Sequence, residues 1–127
     1  MSTIFDRIIS GEIPCFKVWE DAEHLAFLDV NPRCVGHTLV IPKTPVDYLF
    51  GMDDAAYTKL QLAAKTVAGL LKEKLACRRV AVGVWGFEVA HAHIHLFPAN
   101  AISDAAPPAV NEAAKASLEE THKRISA

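Results

Sequence analysis

The chain is 127 residues long, and what it lacks narrows what it can be. No run of apolar residues approaches the ~18 needed to cross a bilayer, so no membrane span is expected. Asp6, Arg7 and Glu12 interrupt the opening stretch, unlike the apolar core of a secretory leader. Cysteine is sparse: Cys15, Cys34 and Cys77 are odd in number, far apart and never in a Cys-x-x-Cys pair. Such usage is expected of reduced thiols in a cytoplasmic protein, each a small core or half-buried side chain. A basic excess is missing too, with 13 Lys and Arg against 15 Asp and Glu, a formal charge of −2. A protein that grips a nucleic-acid backbone usually carries a strong positive surplus, so no nucleic-acid partner is expected. A pocket for one small nucleotide needs no such surface. There is no internal repeat and no low-complexity segment.

Hydrophobic residues at 51% and charged residues at 22% are ordinary for a globular chain, and the length suits one domain. Residues 1–127 are expected to form that domain, with a core over 3–98 and a C-terminal tail over 99–127. Ser2-Thr3 ahead of Ile4, Phe5, Ile8 and Ile9 predicts a short capped helix, with Asp6 completing a variant capping box and Ser10-Gly11 ending it. Phe16 to Glu20 and His24 to Asp29 read as a strand pair across a turn at Asp21-Ala22-Glu23. Asn31-Pro32-Arg33 is loop, and Thr38 to Ile41 is a strand that Pro42 and Pro45 should end. Asp53-Asp54 can cap a helix from about Ala55 to Leu75, whose apolar stripe is Leu60, Ala64, Val67, Leu71 and Leu75. A strand over Arg79 to Trp85 is expected to pair with the one that follows it. A last helix is expected from about Ala109 to Arg124. Strands joined by short turns predict an α+β fold, an antiparallel sheet with helices on one face.

The stretch His91-Ala92-His93-Ile94-His95-Leu96-Phe97-Pro98 organises the rest. Histidine recurs at every second position, which is the period of a strand and not of a helix. The three imidazoles then share one face, and Ala92, Ile94 and Leu96 point into an apolar layer. Pro98, which cannot donate to a ladder, is expected to end the pairing. An aligned trio of imidazoles can be an idle polar face, a metal site or a phosphate site. Three histidines on one strand span about 13 Å by the rise per residue, awkward for one tetrahedral ion. In a phosphate site one imidazole attacks phosphorus while its neighbours bind the oxygens.

With these residues in view, the chain resembles the histidine triad (HIT) family, whose mark is His-x-His-x-His-x-x with apolar x. Thr3 to Pro14, Glu20-Asp21, Leu25 to Pro32 and Gly36 to Lys43 resemble further blocks of that family, in order. The likeness covers about residues 3 to 98 and is greatest to the Hint-type branch. It implies a five-stranded antiparallel sheet with one long helix and short terminal helices, dimerising through a strand and the long helix into a continuous sheet. It also implies hydrolysis or transfer at the α-phosphate of purine nucleotides of the AMP or GMP type, for example nucleoside 5′-phosphoramidates. That chemistry runs through a nucleotidyl-histidine and needs no metal or organic cofactor.

Carried over by position, the resemblance implies His93 as nucleophile, with His91 and His95 holding phosphate oxygens and the nucleophile's tautomer. His37 matches a fourth histidine near the phosphate. Asp29 matches the carboxylate for the ribose hydroxyls, and Ile4, Phe5, Ile8, Phe27, Val30 and Leu39 match the slot for the base. The chain departs from the family just before the triad. Phe87 stands in place of a glutamine and Glu88 in place of a hydroxyl residue, groups that commonly hydrogen-bond the phosphate or leaving group. Glu88 is therefore expected to donate a proton or to position a basic group of the substrate. Zinc-binding members carry a Cys-x-x-Cys near the N-terminus, absent from Thr3 to Asp6. A non-catalytic nucleotide-binding or regulatory protein, and a metal-dependent hydrolase, are the alternatives that turnover and metal analysis would separate.

Overall fold

A computed structural model describes residues 2–102, 112–116 and 119–120. The first helix, α1 (Ile4–Ile9), begins as its sequence demands: the Thr3 hydroxyl accepts from the Asp6 amide and the Asp6 carboxylate accepts from the Thr3 amide. Strands β1 (Lys17–Glu20), β2 (His24–Leu28), β3 (Thr38–Pro42), β4 (Arg79–Gly83) and β5 (Ile94–Ala99) form one antiparallel sheet in the order β1-β2-β3-β5-β4. A 3-10 turn over Leu49–Gly51, unanticipated, leads into α2 (Asp54–Leu75), which Asp53 caps by accepting from the Ala56 amide at 2.8 Å. Of the expected tail helix, α3 (Glu112–Ala116) and residues 119–120 are helical; its remainder, and the Ser103-Asp104 and Pro107-Pro108 stretch, lie outside the described residues.

The alternation of apolar side chains divides the core into two layers. Ala26, Val40, Ile94 and Leu96 face α2 and pack with Leu60, Ala63, Ala64, Val67 and Leu71. Leu25, Phe27, Leu39 and Ile41 face the other way and pack with Phe5 of α1. Each fully buried Ile or Leu of this kind contributes about 1.5–3 kcal/mol. The expectation of helices on one face is therefore corrected: α1 and α2 cover opposite faces. The α1 side of the sheet carries a second apolar row, and six residues suffice to cover one end of it.

Four further details differ from the sequence reading. Leu75, at the end of the α2 stripe, is exposed. Strand β4 stops at Gly83, and Trp85 folds back against the ring faces of the sheet. The histidine run is not one strand: β5 starts at Ile94, so only His95 of the triad sits in the ladder. Nor does Pro98 end the pairing; it is opposite Val80 and the strand runs to Ala99. Strand β3 pairs with β5 only as far as Leu96, so the side on which a ladder amide would be missed has no neighbour there.

Candidate active site

Period two still decides where the imidazoles go. Ile94 and Leu96 point to the α2 layer, so His95 points to the α1 side, and His93 and His91 follow it there. On that side α1 presents Phe5, whose ring meets Phe27 at 5.7 Å, His91 at 5.8 Å and His93 at 5.0 Å, all edge to face. His93 and His95 lie 5.0 Å apart, ring centre to ring centre. Both line a cavity of about 480 Å³ whose wall is mainly apolar. That volume lies within the roughly 300–1,000 Å³ of small-molecule sites.

Hydrogen bonds fix which nitrogen of each ring bears its proton. The His93 Nδ1 lies 2.7 Å from the His91 carbonyl oxygen, which can only accept. The neutral His93 ring therefore carries its proton on Nδ1, with the lone pair on Nε2. The Arg33 amide donates to His37 Nδ1 at 3.2 Å, which puts the His37 proton on Nε2. That Nε2 is 3.0 Å from His95 Nδ1 and donates to it, so His95 bears its own proton on Nε2. The two triad rings at the cavity thus have opposite roles, a basic nitrogen on His93 and an N–H donor on His95. His91 is fully buried and donates from Nε2 to the Pro42 carbonyl at 2.7 Å. Its Nδ1 has no hydrogen-bond partner among the described residues, with Asp6 Oδ1 at 3.7 Å. Burial holds His95 in the neutral form, its pKa pushed from 6.5 down to about 4, with His93 and His37 adding to the effect. Burial lowers His37 as well, against the opposing pull of Asp29.

The eight residues expected to bind the nucleotide all reach this cavity: Ile4, Phe5, Ile8, Phe27, Asp29, Val30, Leu39 and Glu88. His91 and His37 do not line it; they stand behind His93 and His95 and orient them. Asp29 has a second task, since its Oδ1 accepts from the Asn31 amide at 2.8 Å and closes the turn before Pro32. Its Oδ2 lies 3.7 Å from His37 Nε2.

Cys15, Arg33 and Trp85 also line the cavity, and the sequence reading assigned them nothing there. An arginine between two matched blocks, at Asp29 and Gly36-His37, is a legible signal for Arg33. Trp85 gave none, because its place depends on a backbone reversal after β4.

A metal held by His91, His93 and His95 does not fit this geometry. The donors that do cluster, within 4.8 Å of one another, are Asp29, His37 and His95. There the two nitrogens already face each other across a proton, and the Arg33 amide forbids moving that proton to His37 Nδ1.

Fold and imidazole arrangement together define a histidine triad protein. The family model described as HIT domain matches residues 10–102, and the chain belongs to that family. It is 39% identical over 102 residues to an uncharacterized HIT-like protein of Borreliella burgdorferi, covering 75% of this chain and 73% of that one. It is 35% identical over 99 residues to adenosine 5′-monophosphoramidase hnt1 of Schizosaccharomyces pombe, covering 77% and 74%. Among solved structures, a HIT family member from Bacillus subtilis superposes with a TM-score of 0.82 at 28% identity, covering 99% of this chain and 96% of that one.

Proposed function

We propose that the protein is a nucleotide-binding hydrolase or transferase acting at the α-phosphate of purine nucleotides, with nucleoside 5′-phosphoramidates as the reference substrates. The observation that carries this reading is the His93–His91 carbonyl bond of 2.7 Å, which in the neutral ring puts the lone pair on Nε2, beside an imidazole N–H donor. The base lies against Phe5, Phe27 and Leu39, the ribose hydroxyls bond the free side of Asp29, and phosphorus comes to rest at His93. His93 Nε2 attacks phosphorus and the bond to the leaving nitrogen breaks, giving a nucleotidyl-histidine. His95 Nε2–H bonds a phosphoryl oxygen as charge gathers on it. A neutral His95 is a donor of hydrogen bonds and not of protons, so the departing amine takes its proton from Glu88 or through it. Water then attacks the nucleotidyl-histidine, releasing the nucleotide and the free imidazole. No metal or organic cofactor enters these steps. The reading extends to a single domain over the whole chain, a cytoplasmic homodimer, and no membrane or nucleic-acid partner. No helix among the described residues is long and apolar enough to cross a membrane.

One observation favours a second reading, a nucleotide-binding protein with residual turnover: Phe87, at the cavity rim, is 92% exposed and offers a phosphate no hydrogen bond. Incubation with adenosine 5′-phosphoramidate, with and without a chelator, separates the readings. Chelator-resistant release of AMP that falls on the order of 10³-fold or more in His93→Ala is the expected result. AMP binding with no turnover by the wild type would instead establish the non-catalytic reading, and chelator-sensitive turnover a metal-dependent one.

A further inference from the structure

We propose that Arg33, seated on Trp85, selects substrates whose leaving group carries an oxyanion, a carboxylate or a phosphate. The proposal deepens the hydrolase reading and rests on it.

The placement follows from the order of ring contacts. Phe27 touches Phe5, Phe5 touches His93, His93 touches His95, His95 meets Trp85 at 4.8 Å, and the Arg33 guanidinium lies 5.2 Å from the Trp85 ring centre. With the base at Phe27 and phosphorus at His93, the part of the substrate beyond phosphorus passes His95 and reaches Trp85 and Arg33. Leaving-group atoms occupy that end, opposite the base.

The perch is built, not incidental. A Cβ on Gly83 would collide with the Trp85 ring, so the absence of a side chain at residue 83 lets the indole lie over its own backbone. Phe97 meets the same ring edge-on, 6.0 Å between ring centres. A guanidinium over an indole face gains cation–π attraction while its N–H groups stay free at the ring's edge. Arg33 is the one Arg or Lys among the described residues of the cavity wall, and no ion pair ties it to a described carboxylate. A permanent charge left unpaired beside the phosphate end is suited to bidentate capture of an oxyanion.

The test uses four compounds with the full-length protein: adenosine 5′-phosphoramidate, the adenosine 5′-phosphoramidates of alanine and of alanine methyl ester, and diadenosine triphosphate. The alanine pair shares one phosphorus–nitrogen bond and differs only in the leaving group's charge. The wild type is expected to prefer the free acid over the ester in kcat/KM by about tenfold, the worth of one charge-assisted contact. Arg33→Gln is expected to erase that preference and to change turnover of the plain phosphoramidate less than about twofold, as a contact absent from that substrate must. A parallel loss on diadenosine triphosphate marks the site as accepting phosphate as well; no loss there marks it as a carboxylate site. An unchanged acid-to-ester ratio in Arg33→Gln overturns the proposal. So does an equal loss on all four compounds, which would place Arg33 at the α-phosphate. If the wild type turns over none of them, the hydrolase reading fails, and calorimetric binding of the alanine acid and ester to both proteins decides the role of Arg33 by the same ratio.

Discussion

His95 is the residue on which the two halves of the site meet. It takes a proton's bond from His37 on one side and offers its own N–H to the cavity on the other. Both tasks require the neutral ring. An unfolded chain protonates this side chain near pH 6.5, whereas the folded protein resists protonation until about pH 4. Between those values the unfolded state binds more protons, so stability falls as pH falls through that window and is level above it. His37, shifted in the same direction, adds to the slope. After discounting for the partial exposure of the ring, His95 accounts for about 2 kcal/mol of that loss. Urea unfolding at pH 7.5 and pH 4.5 should show a smaller difference in His95→Gln than in the wild type, the carboxylates that titrate in the same range cancelling in the comparison. Equal differences in the two proteins would mean that His95 is accessible to protons at neutral pH.

At the scale of elements, the loop between β2 and β3 carries Asp29, Arg33 and His37, and one glycine joins it to the rest. Gly36 has φ +84°, a left-handed conformation that L side chains rarely adopt. A Cβ there would lie 3.0 Å from Pro98 Cγ of β5 and closer still to the Leu75 side chain at the end of α2. Gly36→Ala is expected to cost roughly 1–3 kcal/mol through strain and contact together. Because His37 is the next residue, kcat should fall as well, which denaturation and turnover of adenosine 5′-phosphoramidate would measure together. Local chemistry of this kind is what the sequence discloses well. Thr3 and Asp6 marked the start of α1, Asp53 that of α2, and the alternation of His91, His93 and His95 marked the shared face. Their neighbours Ile94 and Leu96 do enter the opposite apolar layer. The alternation could not disclose where pairing begins, because the start of β5 at Ile94 is set by the reach of β3 and β4. Nor could it place the helices on opposite faces, since an amphipathic helix records that it has an apolar side and not which sheet face accepts it. The meeting of Trp85 with Arg33 was illegible for a related reason: it depends on a chain reversal and on two loops far apart in sequence.

At the scale of the molecule, the sheet has two edges, and they are not alike. Strand β1 is guarded: its register shifts between Lys17 and Trp19, and Lys17 and Glu20 pair along it at 2.9 Å. Bulges and charges are the usual devices that keep an edge from pairing with another chain. Strand β4 is less guarded, with no register shift against β5. Among the described residues it pairs only with β5, Arg79 is its one charged side chain, and Val82 is 62% exposed on the face that α2 covers. Leu62, exposed on α2, adds apolar surface to that helix. Two copies joined antiparallel along β4 would satisfy both open edges with one symmetric contact and make a continuous sheet. On this reading light scattering should give twice the 13.8 kDa chain mass for the wild type. Val82→Glu, which would bury a carboxylate twice over in that contact, should give the single mass at micromolar concentration, while Lys17→Glu at the guarded edge should stay double. A wild type of single mass, or a Val82→Glu that remains double, would rule out β4 as the interface. Such a dimer would bear on catalysis, because the chain runs from β4 directly into the segment of Trp85 to Val89 that walls the cavity. Without a partner along β4 that wall would lose an anchor, and the monomeric variant should show a KM raised several-fold with a smaller change in kcat, the mark of a site loosened without loss of its reacting groups.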